Sequence, residues 1–264
     1  MKKFLTVALA GVLAASMLFT GCSKKAESKV PDKLIVGTNA EFPPFEYMND
    51  KKQPEGFDIA MIKEIGKRMG KKVEIKNMEF KSLIGAMESD SINAIIAGMT
   101  KTEKREKAVD FSDSYYTTNQ AIILKKDSKI TKLAQLDGKK IGVQEGTTGD
   151  LISSGDKFGD GKKAKVLVKG AKVKRFKKGV DAVMDLKNGS VDAVVIDELT
   201  ANEFVKKNAK KLKIVIDSAG SEYYCIALTK GNTAYKEEIN KQIKAIKKDG
   251  TYDKLKAKYI DSAN

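Results

Sequence analysis

The chain has 264 residues, which suits one large domain or two of ordinary size, and a hydrophobic content of 41% indicates a globular core. Its formal net charge is +15, but the basic residues are almost all lysines spread among acids, so we predict a solvated surface and no nucleic-acid binding. Histidine is absent and cysteine occurs twice, which excludes most zinc sites and the histidine-based catalytic arrangements, and we expect no cofactor and no metal.

The N-terminus predicts a signal peptide over residues 1–21. Two lysines precede an apolar run over residues 4–19, and the tripeptide TGC follows, ending at Cys22. This pattern resembles a bacterial lipoprotein lipobox, with phenylalanine at position 19 where leucine is usual. The resemblance implies cleavage before Cys22 and a lipid, such as palmitate, on that cysteine. An ordinary secretory signal with an incidental cysteine is the alternative.

Residues 22–32 are polar, and we expect them to form a flexible tether between the lipid and the folded protein. The second cysteine, Cys225, lies in the apolar stretch YYCIAL, which is typical of a strand. We expect it to be a small buried side chain and not a disulfide partner.

From residue 33 onward, short apolar runs alternate with amphipathic segments. Strands are predicted at 34–38, 73–78, 94–97, 121–124, 140–144, 166–168, 193–196, 214–217 and 225–228. Helices are predicted at 58–69, 82–89, 102–109, 148–154, 180–188, 198–208, 234–249 and 252–259. Strands that alternate with helices indicate an α/β fold whose mainly parallel sheets are covered on both faces.

Two stretches of the chain share one pattern: SDSINAIIAGM at 89–99 and KNGSVDAVVID at 187–197. In each, a helix ends, a polar turn follows and an apolar strand begins. Ligands bind outside the carboxyl ends of the strands in open α/β sheets, so two such sheets facing each other predict a ligand cleft between two lobes. Ordinary repetition of βαβ units is the alternative interpretation.

One of three arginines in the chain, Arg105, lies in the stretch MTKTEKREKAVDFS. Thr100 and Glu103 form an S/T-x-x-E capping box, which predicts a helix that begins just after Thr100. Free backbone N–H groups at a helix start, with a guanidinium that grips in two places, form a plausible carboxylate site. The alternative is a solvated charged helix with Arg105 on its outer face.

Six stretches, in order, together resemble the polar amino-acid substrate-binding proteins of ATP-binding-cassette importers, which are bacterial extracellular solute-binding proteins of family 3. The stretches are LIVGTNAEFPPFEY (34–47) with GFDIAM (56–61), AGMTKTEKREKAVDFSDSYY (97–116), IGVQEGTTGD (141–150), VDAVVIDELTA (191–201) and DGTYDKLKAKY (249–259). The resemblance covers residues 33–260 and implies a two-lobed type II periplasmic-binding fold.

The resemblance also implies where the chain divides. Lobe 1 would comprise residues 33–115 plus 225–260, and lobe 2 would comprise residues 120–219. The two crossings between the lobes, at 116–119 and 220–224, would form a two-strand hinge. Each lobe would be a mainly parallel sheet flanked by helices, and ligand would favour the closed arrangement.

For the ligand's charged ends, the resemblance implies that Arg105 binds the α-carboxylate together with the backbone N–H groups of Thr100 and Thr148. Asp197 would receive the α-ammonium group, with the Gly98 carbonyl and the Thr100 hydroxyl as further acceptors. The chemistry agrees, because an amino acid is a zwitterion and a closing cleft buries both charges, each of which needs a partner.

For the ligand's side chain, the resemblance implies that Phe42 and Phe57 sandwich it, although Phe57 also fits a core position. Asn39 and Gln144 form a polar pocket, and Glu41 either adds a negative charge there or is a solvated loop acid. A polar pocket favours a cationic or neutral polar amino acid, with arginine, lysine and histidine preferred.

The expected function is an extracytoplasmic solute-binding protein, lipid-anchored to the cell membrane and monomeric, that captures an amino acid and delivers it to the permease and ATPase subunits of an importer. It would not be an enzyme. The alternatives are a sensory module for a separate signalling partner, and a dehydratase-like enzyme in which Glu41 and Asp197 do acid–base work.

Overall fold

The computed structural model describes residues 29–154, 168–216 and 221–261. The predicted signal peptide, Cys22 and most of the tether lie outside the described residues. Residues 166 and 167 of one predicted strand, residue 217 of another and residue 220 of the second crossing also lie outside them. In the described part of the chain, no helix combines the length and the apolar character needed to cross a lipid bilayer.

Within these residues the chain forms thirteen strands and eight α-helices. The strands are β1 (Lys33–Thr38), β2 (Glu41–Phe42), β3 (Glu46–Met48), β4 (Pro54–Glu55), β5 (Lys72–Asn77), β6 (Ala94–Ile95), β7 (Val109–Thr118), β8 (Gln120–Lys125), β9 (Lys140–Gln144), β10 (Lys172–Phe176), β11 (Ala193–Asp197), β12 (Leu212–Ile216) and β13 (Glu222–Thr229). The helices are α1 (Phe57–Arg68), α2 (Leu83–Glu88), α3 (Glu103–Glu106), α4 (Thr148–Ser153), α5 (Gly179–Asn188), α6 (Glu198–Lys206), α7 (Thr233–Lys248) and α8 (Thr251–Tyr259).

Two five-stranded sheets form the two lobes. The first has the strand order β5-β1-β6-β13-β7 and carries α1, α2, α7 and α8; the second has the order β10-β9-β11-β8-β12 and carries α4, α5 and α6. A small third sheet, β2-β3-β4, adjoins the first. The expectation of a two-lobed α/β fold with helix-covered sheets is confirmed.

Each sheet is mainly parallel, as expected, with four strands that run in one direction and one antiparallel strand between them. In the first sheet β5, β1 and β6 run parallel while β13 is antiparallel to both neighbours. In the second, β10, β9 and β11 run parallel while β8 is antiparallel to both neighbours. Parallel neighbouring strands need a long crossover connection. Strand β8 has no such connection: it follows β7 of the first sheet after one residue and is the antiparallel strand of the second sheet.

Helices with a clear apolar face were predicted to within two residues. In α1, Ile59, Ile62 and Ile65 are buried on one face, and in α7, Ile239 and Ile243 are buried at a spacing of four. The predicted helix at 102–109 is wrong beyond residue 106, because the chain enters strand β7 at Val109. Strand β10, with the sequence KVKRF, was not predicted, since its lysines and arginine hide the alternation of an edge strand.

The two chain segments between the lobes lie side by side. At the end of β7, Thr118 pairs with Glu222 and Tyr116 pairs with Tyr224 of β13. The chain then passes through Asn119 alone before β8 begins. The hinge and the lobe boundaries at 116–119 and 220–224 remain a prediction. Within β13, Cys225 is buried and free, and burial raises the pKa of its thiol to about 12.

Candidate ligand-binding site

A small, nearly closed cavity lies between the two lobes. Its volume of about 10 Å³ is roughly the space that one water molecule needs. Its walls come from both lobes and include residues at strand ends, in the loops that follow and in helices α3 and α4. The lining residues are Phe42, Phe80, Ala97, Gly98, Thr100, Arg105, Gln144, Thr147, Thr148 and Asp197.

Helix α3 places Arg105, but it does not begin as the capping box predicted. The cap is Thr102, whose hydroxyl accepts a hydrogen bond from the Arg105 backbone N–H at 3.3 Å. Thr100 is unavailable as a cap because it forms a β-bridge with Tyr224 and its hydroxyl donates to Glu222. The predicted start just after Thr100 is therefore wrong by two residues.

The Arg105 guanidinium is buried, which contradicts the alternative of a solvated outer face. Its Nη1 donates to the Thr100 carbonyl at 2.5 Å, and its Nη2 donates across the cleft to the Gly146 carbonyl at 3.0 Å. The guanidinium carbon lies 5.2 Å from the centre of the Phe80 ring, a cation–π contact. Burial lowers the pKa of Arg105 to about 10, so the group remains charged at neutral pH.

Asp197 faces the same cavity from the second lobe. It ends strand β11, is buried, and its Oδ1 accepts a hydrogen bond from the Tyr224 hydroxyl at 2.7 Å. Burial raises the pKa of Asp197 to about 6. A carboxylate and a guanidinium of opposite charge therefore lie at one small cavity, each supplied by a different lobe.

Gly98 requires the absence of a side chain. Its φ of +53° lies in the left-handed region, and a Cβ atom would come within 3.2 Å of the Phe42 ring. Its N–H donates to Asp58 Oδ2 at 2.7 Å, which orients this turn. Asp58 is itself buried, and the Tyr115 hydroxyl donates to the same oxygen at 2.7 Å.

Thr148 begins helix α4, as the sequence predicted, and the preceding Thr147 caps it. The Thr147 hydroxyl accepts from the Asp150 N–H at 3.3 Å, while the Asp150 carboxylate accepts from the Gly146 N–H at 3.1 Å. The turn between β9 and α4 is thus held by its own side chains. This arrangement brings Thr148 to the cavity wall.

Asn39 and Gln144 meet across the cleft. Gln144 Nε2 donates to Asn39 Oδ1 at 2.8 Å, and Asn39 Nδ2 donates to the Met78 carbonyl at 2.8 Å. Among the described residues, nothing donates to Gln144 Oε1, although this oxygen is buried. A buried acceptor without a donor is costly, and a ligand N–H group would satisfy it.

Three predicted site residues do not line the cavity: Asn39 contacts the lining residue Gln144, and the other two lie farther away. Phe57 is fully buried in the first lobe, where its ring packs among those of Phe45, Tyr115 and Tyr252. Its position therefore supports a role in the core. Glu41 forms an ion pair with Lys178 at 2.7 Å at the cleft rim. Neither residue lines the cavity.

Sequence reasoning missed Phe80, Thr147 and Glu222. Phe80 follows the carboxyl end of β5 and lines the cavity, a position that the rule for strand ends could have flagged. Glu222 begins the apolar strand β13, where an acid is unexpected. Its Oε2 accepts hydrogen bonds from the hydroxyls of Thr100, at 2.7 Å, and Thr148, at 2.8 Å.

Ion pairs between lysine and glutamate join the two lobes at the cleft rim. Each joins a residue between positions 41 and 81 of the first lobe to one between positions 145 and 178 of the second. The pairs are Lys81–Glu145 at 2.6 Å, Glu79–Lys177 at 2.7 Å and Glu41–Lys178 at 2.7 Å.

Two lobes that enclose a small polar cavity define the class of protein: a two-lobed periplasmic-binding protein of type II. The chain belongs to the bacterial extracellular solute-binding proteins, family 3, whose family model matches residues 34–262. The family expected from the sequence is confirmed, and membership places the protein on the extracytoplasmic side of the membrane.

Similar proteins are named for binding arginine and related amino acids. The arginine-binding extracellular protein ArtP of Bacillus subtilis (strain 168) is 33% identical, with 98% of each chain covered. The structure of an ancestral arginine-binding protein bound to arginine is 43% identical with a TM-score of 0.77, covering 88% of this chain and 100% of that one. The arginine-, lysine-, histidine-binding protein ArtJ of Geobacillus stearothermophilus is 34% identical with a TM-score of 0.76, covering 86% and 95%.

Proposed function

We propose that the protein captures a free L-amino acid between its lobes, arginine before other cationic amino acids, and delivers it to the permease and ATPase subunits of an importer. The observation that carries this proposal is the pair of buried opposite charges, Arg105 and Asp197, at one cavity between the lobes. An amino acid presents one charge of each sign, so burial of the ligand leaves neither charge unpaired.

In this proposal the ligand's α-carboxylate binds Arg105 and the backbone N–H groups of Thr100 and Thr148. The guanidinium already lies at the cavity wall and is held in place by two carbonyl groups and the Phe80 ring. A preoriented fork loses little conformational freedom when it binds a carboxylate in two places.

The α-ammonium group binds the Asp197 carboxylate, the Gly98 carbonyl and the Thr100 hydroxyl. The strongest support is the position of Asp197, which is buried at the end of β11 and lines the cavity. An ammonium group has three N–H donors and no acceptor, and these three oxygens match that number.

The side-chain pocket consists of Phe42, Asn39 and Gln144 in this proposal. A guanidinium suits it because the amide oxygen of Gln144 lacks a donor among the described residues and because a ring face attracts a cation. Glu41 acts at the rim through Lys178 instead of lining the pocket. The names of the similar proteins also favour arginine over a neutral ligand.

Ligand entry requires the lobes to part, since the present cavity is far too small for an amino acid. The proposed hinge is the pair of crossings at 116–119 and 220–224, between lobe 1 (33–115 plus 225–260) and lobe 2 (120–219). Capture and release need no chemical step on the ligand. The proposal includes cleavage of residues 1–21 and a lipid on Cys22 that holds a monomeric protein at the membrane, with its tether at 22–32.

Calorimetric titration tests this function. The protein is unfolded, freed of carried-over ligand, refolded and titrated with each of the twenty amino acids. We expect arginine to bind most tightly, followed by lysine and histidine. Tightest binding of a neutral amino acid would overturn the cationic preference, and no binding of any amino acid would overturn the function itself.

A further inference from the structure

Glu222 is a buried carboxylate behind the cavity wall that the proposed function leaves without a role. It exposes 2% of its surface and does not line the cavity. One of its oxygens, Oε2, accepts hydrogen bonds from the hydroxyls of Thr100 and Thr148. Thr100 belongs to the first lobe and Thr148 to the second, so a single carboxylate oxygen joins the two lobes beside the ligand site.

The direction of these hydrogen bonds decides what each threonine offers to a ligand. A hydroxyl group has one proton and two acceptor lone pairs. The hydroxyls of Thr100 and Thr148 both donate their hydrogen bond to Glu222, so each can form further hydrogen bonds only as an acceptor. One lone pair of Thr148 accepts from Gln120 Nε2 at 3.1 Å. Thr100 is thereby set to accept from an N–H donor in the cavity.

The buried charges around the site do not balance. Asp197 and Glu222 are the two buried carboxylates whose charges act on Arg105, and Arg105 is the one buried cation among the described residues. The titratable groups that face Glu222 are Asp197, Arg105 and Tyr224. With both carboxylates ionised, the site therefore has one negative charge in excess. The second oxygen of Glu222, Oε1, accepts no hydrogen bond from the described residues.

We propose that Glu222 is a positioning residue for the ligand's α-ammonium group: it orients the hydroxyls of Thr100 and Thr148 as acceptors and supplies the second negative charge, which balances the net positive charge that arginine brings into the closed cleft. The inference rests on the proposed function. It couples binding of the ammonium group to closure of the lobes. The carboxylate that prepares the ammonium site also binds one hydroxyl from each lobe, and it can do so only when the lobes are together.

A proton should leave this site when the ammonium group enters it. Burial and then the charge of Asp197 raise the pKa of Glu222 to about 8, and burial raises the pKa of Asp197 to about 6. Below pH 8 the site with its lobes together and no ligand therefore retains a proton, which the net positive charge of bound arginine, by stabilising the ionised carboxylates, expels. Affinity should then rise between pH 6 and pH 8, by up to about ten-fold per pH unit, and level off above.

The experiment is titration calorimetry with L-arginine at pH 6, 7 and 8, in buffers of different ionisation enthalpy that reveal proton release. The wild-type protein should release up to about one proton per ligand at pH 7. Glu222→Gln keeps an acceptor oxygen and the size of the side chain but loses the charge. It should bind arginine at least about ten-fold more weakly at pH 8, near the scale of one charge-assisted hydrogen bond, and should lose most of the pH dependence.

A desamino analogue, 5-guanidinopentanoic acid, separates positioning from a merely structural role. Glu222→Gln should weaken arginine clearly more than this analogue, since only arginine has the ammonium group. The matched control is Glu198→Gln, which removes the charge of the glutamate that follows Asp197 in the chain. The Glu198 side chain accepts a hydrogen bond from Asn119 at 3.1 Å. It should stay within about two-fold of wild type, with the same pH dependence. Thermal unfolding without ligand checks each variant.

The outcomes are distinct. Equal weakening of arginine and the analogue by Glu222→Gln would overturn the inference, as would a wild-type protein that releases no proton between pH 6 and pH 8. The wild-type measurement stands even where the variant does not fold. Failure of the wild-type protein to bind arginine or any other amino acid would instead overturn the proposed function.

Discussion

Arg105 makes contacts that a lysine at the same position could not reproduce. Its two terminal nitrogens donate to the Thr100 carbonyl of its own lobe and to the Gly146 carbonyl of the other lobe, while the planar group lies against Phe80. A lysine has one compact ammonium group on a flexible stem and cannot span these positions in one plane. In a chain with 50 basic residues and three arginines, this geometry explains the choice of arginine at position 105.

Substitution of Arg105 should therefore reduce ligand affinity whether or not the charge is kept. Arg105→Ala leaves a buried ligand carboxylate unpaired, a loss of about 3–5 kcal/mol, which equals roughly two to four powers of ten in affinity. Arg105→Lys should also bind poorly. The measurement is calorimetric titration with arginine, with thermal unfolding to verify the fold.

The matched control for Arg105→Lys is Arg68→Lys. Arg68 is also a forked arginine, which bonds Glu64 and Asp249 at 2.7 Å each, but it lies on α1 away from the cavity. Its substitution should leave affinity unchanged. If Arg105→Lys binds like the wild-type protein, the two-point grip is not the reason for this arginine.

At the scale of secondary-structure elements, the lobes meet through the loops that follow their strands. The segment after β5 carries Glu79 and Lys81, and the segments after β9 and β10 carry their partners in the second lobe. Each rim ion pair is solvent-exposed, so it contributes little by itself and is screened by salt. The rim pairs depend on lobe closure, because their partners belong to different lobes.

Removal of the rim pairs should weaken ligand binding in a salt-dependent way. The triple variant Lys81→Gln, Lys177→Gln, Lys178→Gln should bind arginine roughly three- to ten-fold more weakly at low ionic strength. The difference should shrink as salt rises toward about 1 M, where screening acts over a few ångströms. Titration of arginine across a salt series measures both effects.

A second triple variant, Lys33→Gln, Lys174→Gln, Lys230→Gln, controls for net charge. These lysines pair with Glu74, Asp185 and Asp110, each within a single lobe. The control should keep the wild-type affinity and salt dependence. Identical behaviour of the two triple variants would show that the rim pairs do not contribute to closure.

At the scale of the whole molecule, two paired strand ends lie between the two sheets, and one cluster of buried apolar side chains includes residues from both lobes. Residues 116–118 of β7 pair with residues 222–224 of β13, and just one residue separates β7 from β8. At the cavity walls and the rim, the lobes also touch through polar contacts. Such an arrangement suits a hinge motion in which each lobe moves as a unit.

Small-angle scattering should therefore detect closure when ligand binds. The radius of gyration of the ligand-free protein should fall on saturation with arginine, because ligand contacts both lobes only in the closed state. The Arg105→Ala variant, at an arginine concentration that saturates the wild-type protein, should keep its ligand-free profile. An unchanged scattering profile of the wild-type protein at saturation would contradict the closing motion but not ligand binding.

The amino-acid sequence by itself determined the class of fold and most of the cavity wall. Periodic burial of apolar residues is a local signal, so helices such as α1, α5 and α7 were predicted to within about two residues. The resemblance to the family placed Asp197 at the site, and its position at the end of a buried strand agrees, because strand ends of one sheet converge on one edge. Of the predicted ligand-binding residues, seven line the cavity, and Asn39 contacts one of them.

Only the tertiary structure decided which polar and aromatic side chains are partners. Thr102 and not Thr100 caps α3, because Thr100 is engaged by β13, more than a hundred residues away. Phe57, which the resemblance placed at the ligand, lies in the core, whereas Phe80, for which no role was predicted, lines the cavity. Glu222 accepts hydrogen bonds from two threonines of different lobes. Sequence patterns register whether a position is buried, whereas partners are chosen by contacts between segments far apart in the chain.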